Sequence, residues 1–94
     1  MALRFEWDPR KAAANARKHG VSFEEARTAF ADPLGRIVAD PRHSTREERE
    51  VLVGVTERAR LVAVMFTERG QSIRIISARH VTRQERIDYE ERHD

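Results

Sequence analysis

The chain has 94 residues, no cysteine and a formal net charge of +2. That length fits one domain with one modest core, and the missing cysteines exclude disulfides, thiolate chemistry and a cysteine-based zinc site. No apolar run approaches the roughly 20 residues that cross a bilayer, and MALRFEWDPRK enters a folded pattern without a signal-peptide stretch, so a cytoplasmic protein without membrane contact is expected.

LRFEW alternates, with Leu3, Phe5 and Trp7 on one face and Arg4 and Glu6 on the other, which predicts a strand with one buried face. Asp8 is a suitable N-cap, Pro9 fits the first helical position, alanines follow at 12, 13, 14 and 16, and Gly20 supplies a left-handed stop. Ser22 and Glu25 then form a capping box for a second helix whose Phe23, Ala26 and Phe30 share a face, and Asp32 and Pro33 end it. Leu34 to Ala39 predicts a short strand, and PRHSTREERE reads as a polar loop with no apolar anchor. Val51 to Thr56, Leu61 to Thr67 and Ser72 to Ala78 read as three strands joined by the tight connections ERAR and ERG, with Gly70 free to take positive φ. The segment LVAVMF is apolar on both faces, which places its strand centrally. Thr82 and Glu85 make a second capping box opening a C-terminal helix that offers only Ile87 and Tyr89 as apolar contacts. The order predicts a single α+β domain over 1–94: an antiparallel sheet with an N-terminal helix pair packed on it and a C-terminal helix.

Charge is spread unevenly along this order. Residues 1 to 57 balance to zero, residues 58 to 86 hold seven arginines against Glu68 and Glu85 for a local +5, and the last eight residues return to −3. Sixteen of the eighteen basic side chains are arginine, whose planar fork binds phosphate through two parallel hydrogen bonds. A GC-rich genome would favour arginine equally.

The meander decides which arginines share a location. With strands 61–67 and 72–78 antiparallel, Arg79 lies at the same end as the connection Glu57-Arg58-Ala59-Arg60, whereas Arg69 lies roughly 20 Å away, too far to share a phosphate. Arg58, Arg60 and Arg79 are therefore expected to converge around one phosphodiester. Alternation puts Arg74 on the face opposite Arg79, with Ile76 and Ala78, unless a bulge intervenes. The structural alternatives are an ion pair or a solvated edge for Arg74 and a salt bridge to Glu85 for Arg79. Lys18 and His19 sit where positive charge suits a helix C-terminus. His80 could act as acid or base near neutral pH but turns away from Arg79, and His43 and His93 read as solvent-exposed. No metal-ligand spacing, glycine-rich phosphate loop or serine-nucleophile motif is present, so no metal and no cofactor are expected.

FEWDPRKAAANARKHGVSFEEA, the DP at 32 and 33, FTERG, IRIISAR, and the ER at 85 and 86 followed by Tyr89 resemble the BrnT-type toxins of bacterial toxin-antitoxin pairs over almost the whole chain. The departures are a VG at 53 and 54 where the family tends to have IG, and His80 where proline or a basic residue is common. The resemblance implies a small RelE-like fold, ribonuclease activity that halts translation, and inhibition by a dimeric ribbon-helix-helix antitoxin. DNA is then contacted only through that antitoxin, and the complex represses its own operon. Arg60 and Arg79 match the positions where RelE-like toxins carry basic residues.

On that footing the expected reaction is metal-independent RNA cleavage by 2′-hydroxyl attack, leaving a 2′,3′-cyclic phosphate. Arg60 and Arg79 would stabilise the transition-state charge, Glu57 would act as general base, and Tyr89 or His80 would protonate the leaving oxygen. Lys18, His19, Arg58 and Arg74 are the candidate RNA contacts. The competing readings are a nucleic-acid-binding module without catalysis and a protein-interaction module that docks through its last helix. The sequence leaves open whether the chain also forms a homodimer.

Overall fold

The structure, a computed structural model, describes residues 3–39 and 49–91. His43, His93 and most of the loop at 41–50 lie outside them. The described chain runs β1 (Arg4–Glu6), α1 (Pro9–His19), α2 (Phe23–Thr28), a 3-10 turn (Ala29–Ala31), β2 (Arg36–Ala39), β3 (Glu50–Val55), β4 (Leu61–Arg69), β5 (Ser72–His80) and α3 (Arg83–Glu91).

Local signals set the helix boundaries. The Asp8 carboxylate accepts from the Arg10 amide at 2.8 Å, Pro9 takes the first turn, and Gly20 ends α1 at φ 70° with its amide on the Ala16 carbonyl. The Ser22 hydroxyl accepts from the Glu25 amide at 3.0 Å to start α2. At α3 the box is reciprocal, because Thr82 accepts from the Glu85 amide at 3.1 Å and Glu85 accepts from the Thr82 amide at 2.8 Å.

The five strands form one sheet in the order β1-β5-β4-β3-β2, with β4 central as its two apolar faces demand. The sheet is mixed. Strands β2 to β5 are antiparallel neighbours, but β1 pairs parallel with β5, Arg4 against Ser72 through Glu6 against Arg74. This corrects the antiparallel expectation. Alternation in LRFEW marks a buried face but carries no strand direction, and β1 joins β5 across the whole intervening chain rather than through a tight turn.

Each sheet face has its own core. One buries Val21, Phe23, Ala26 and Ala29 from the helix pair against Leu52, Val62, Val64, Phe66, Ile73, Ile75 and Ala78. Phe30 bridges Phe5 and Phe66 edge-on at centroid distances of 5.1 and 5.0 Å, and Trp7 meets Phe23 likewise at 5.9 Å. Leu3, expected on that face, is 54% exposed. The other face holds Val51, Val53, Leu61 and Ala63, with Val81 and Tyr89 packed over them. The C-terminal helix thus lies on the side opposite the helix pair. No residue of α3 is fully buried, in keeping with its sparse apolar content.

A bulge resolves the place of Arg74. Met65 pairs with Ser77 but Phe66 pairs with Ile75, so Ile76 is an extra residue in β5. Ile75 and Ala78 both face the helix pair, and Arg74 consequently shares the α3 face with Arg79. The expectation of opposite faces is corrected by this one inserted residue.

Candidate functional site

The connection between β3 and β4 is fixed by its own backbone and by α2. The Thr56 amide donates to the Arg60 carbonyl and the Ala59 amide to the Thr56 carbonyl, both at 2.9 Å, with Ala59 at φ 61°. The Thr56 hydroxyl accepts from the amides of Arg58 and Arg60 at 3.2 and 3.4 Å and donates to Glu25 Oε2 at 2.7 Å. The Glu57 amide donates at 2.9 Å to the Thr28 hydroxyl, which itself donates to the Glu25 carbonyl at 2.6 Å. A loop held at this many points is pre-shaped, and it leaves Glu57 exposed and the Arg58 side chain 71% exposed.

Beneath the loop a buried carboxylate is paired with a half-buried arginine. Glu25 is 5% exposed and receives Arg60 Nε at 2.8 Å on Oε2 and Arg60 Nη2 on Oε1. Nη2 also donates to the Gly20 carbonyl at 3.1 Å, so Arg60 ties the end of α1, which carries Lys18 and His19, to α2 and to the hairpin. The Arg60 hydrogen bonds are the main reason the Glu25 carboxyl is lowered from 4.5 to about 2; burial opposes this, and the Thr56 hydroxyl and the Arg58 charge assist.

Arg79 turns to the other face. Its Nη1 and Nη2 grip the Glu85 carboxylate at 2.8 and 3.1 Å, and Nη1 reaches the His80 carbonyl at 3.2 Å. This bidentate contact, followed by the Thr82 cap, holds the Glu85 carboxyl below its ordinary value. Farther along α3 the Tyr89 hydroxyl donates to Asp32 Oδ2 at 2.7 Å, the same oxygen that receives the Val55 amide at 2.8 Å.

Glu57, Arg58, Arg60 and Arg79 do share one end of the sheet, but the structure does not draw the three guanidiniums to one point. Arg60 and Arg79 are held by Glu25 and Glu85 on opposite faces. Arg74 forms an ion pair with Glu6 at 2.9 Å, the structural alternative foreseen for it. His80 pairs across from Val62, a helix-pair-face position, and so points away from Arg79. A cavity of about 580 Å³ between the 3-10 turn and the hairpin is lined by Phe5, Thr28, Phe30, Asp32 and Glu57, among others. Among the described residues no three histidine, aspartate or glutamate side chains gather as a metal site.

Residues 7–85 match the model of the BrnT toxin family, described as the ribonuclease toxin of type II toxin-antitoxin systems. The chain belongs to the BrnT family. The fold agrees: the crystal structure of the Brucella abortus ribonuclease toxin BrnT superposes with a TM-score of 0.62 at 22% identity, covering 87% of this chain and all of that one. A comparison with curated protein sequences finds no match.

Two residues that hold the candidate site together were not read from the sequence as part of it. Asn15 donates to the carbonyls of Val21 and Ala78 at 2.9 and 2.8 Å and accepts from the Ala78 amide at 3.1 Å. It closes the part of the β5 edge that three-residue β1 does not cover. Its only sequence signal is a polar side chain within an alanine run. Glu25 reads as a capping glutamate, yet its carboxylate turns inward to Arg60 and Thr56. A guanidinium is the stronger attractor, and a pairing across 35 positions leaves no local trace.

Proposed function

We propose that this BrnT-family toxin is a metal-independent endoribonuclease that stops translation by cutting RNA, and that its active site is the end of the sheet carrying the 56–60 hairpin. Family membership supports the ribonuclease reading, and the pinned hairpin with its outward Glu57 and Arg58 supports the location. RNA lies across the ends of β4 and β5, with Lys18, His19 and Arg58 on its backbone and Arg74 as an outlying contact. Glu57 takes the proton of a 2′-hydroxyl, whose oxygen then attacks the adjacent phosphorus. Arg60, oriented by Glu25, and Arg79, once drawn from Glu85, flank the phosphate from the two faces and stabilise its nonbridging oxygens. The 5′-oxygen departs with a proton from Tyr89 or His80, leaving a 2′,3′-cyclic phosphate.

In this reading a dimeric ribbon-helix-helix antitoxin neutralises the toxin in the cytoplasm and is its only link to DNA. The test is cleavage of RNA by the purified chain with chelator present, followed by analysis of the 3′ ends. Cyclic phosphate termini formed by the parent and reduced about a hundredfold in Glu57→Gln support the assignment. Unchanged cleavage in Glu57→Gln removes Glu57 from the chemistry.

A further inference from the structure

We propose that β2 pairs with its counterpart in a second copy of this chain, joining two five-stranded sheets across a two-fold axis. The strand is the outermost of the sheet, and all four of its residues are exposed. Its outer side has no hydrogen-bonded partner among the described residues. Of the four large apolar side chains left exposed among the described residues, three cluster here: Leu34 at 47%, Ile37 at 53% and Val38 at 39%. An apolar strand with unpaired amides and carbonyls is a template for further pairing. The opposite edge lacks this character, because β1 is only three residues long and two of them are Arg4 and Glu6.

Self-complementarity selects the occupant. A continuous antiparallel sheet with a two-fold axis must set one residue opposite itself. Centring on Arg36 would oppose two guanidiniums, which is unfavourable. Centring on Ile37 opposes two isoleucines on the face shared with Leu52, places each Arg36 across from a Val38, and each Gly35 across from an Ala39. No like charges then meet, and a net charge of +2 per copy adds little repulsion. Five paired residues per copy bury less than a standard interface, so the dimer is weak and concentration-dependent. The two-fold axis sends the two hairpin ends in opposite directions, so both remain open to RNA, and the proposal does not depend on the ribonuclease reading.

Sedimentation velocity from about 10 μM to about 1 mM tests it, in the range expected of a small interface. The parent should rise from 10.9 kDa toward twice that mass. Ile37→Lys should weaken association at least about tenfold, while Leu3→Lys on the other edge leaves it unchanged. Because the chain has no cysteine, Ile37→Cys gives a single thiol that should oxidise to a covalent dimer, since opposed residues of antiparallel strands lie within disulfide reach. A parent that stays monomeric throughout with no disulfide from Ile37→Cys overturns the proposal. So does a dimer that Leu3→Lys dissolves and Ile37→Lys does not.

Discussion

Arg60 meets Glu25 with two donors of its guanidinium, Nε standing 2.8 Å from Oε2, and that contact joins both N-terminal helices to the hairpin of the candidate site. Removing one partner is not equivalent to removing the other. Arg60→Ala leaves a buried carboxylate without its counter-charge and should cost about 3 kcal/mol, whereas Glu25→Gln, which leaves an arginine side chain 33% exposed and open to water, should cost less. Urea unfolding of both variants and the double variant measures this. A double variant more stable than Arg60→Ala alone is expected.

The same pair sets an acid limit. Glu25 titrates at about 2 when folded against 4.5 for its ordinary carboxyl, so the unfolded chain binds the proton more readily. Its stabilising contribution is complete above about pH 4.5 and disappears as pH falls through about 2. Urea midpoints followed from pH 7 to 2 should fall less steeply below pH 4.5 in Glu25→Gln than in the parent. Parallel curves would show that another group governs acid unfolding.

Glu85 restrains both Arg79 and α3. Glu85→Gln should weaken the helix by about 1 kcal/mol, the scale of a partly exposed bidentate pair, and amides of residues 83–91 should exchange roughly fivefold faster. If Arg79 binds the scissile phosphate, Glu85→Gln cleaves RNA at least as fast as the parent, while Arg79→Ala loses about a hundredfold. Equal losses in both would make the pair structural.

Ala59 holds φ 61°, a left-handed conformation that costs an alanine about 1 kcal/mol. Ala59→Gly should relieve that strain and stabilise the chain by about 0.5 kcal/mol after the extra freedom of glycine in the unfolded state is counted. Thermal unfolding decides the sign, and destabilisation would mean that the methyl group makes a compensating contact.

Asn15 is 7% exposed and satisfies both backbone groups of Ala78. Asn15→Ala orphans them and the Val21 carbonyl, at a cost of about 2 to 3 kcal/mol. A loss below about 0.5 kcal/mol would show that water takes the place of the amide.

What the sequence made legible is what short-range chemistry encodes. The caps at Asp8, Ser22 and Thr82, the turns at Gly20 and Gly70 and the central position of β4 each follow from a few neighbouring residues. The parallel placement of β1, the extra residue at Ile76, and the partners of Asn15 and Glu25 depend on contacts between distant segments, which no local pattern records. That Glu57, Arg58, Arg60 and Arg79 share one end of the sheet was legible, because strand direction and length alone fix it. Which carboxylate holds each arginine was legible for Arg79, six residues from Glu85, and not for Arg60, thirty-five from Glu25.

The measurement that bears most directly on the account is cleavage of a labelled RNA by the purified chain in excess chelator, with the parent beside Arg58→Ala, Arg79→Ala and the remote control Arg69→Ala. The account predicts cyclic-phosphate products from the parent without added metal, strong loss in Arg79→Ala, a smaller loss in Arg58→Ala and little change in Arg69→Ala, which sits at the far end of the β4–β5 pair. Cleavage that requires magnesium, or RNA bound and left intact by a folded chain, would contradict it.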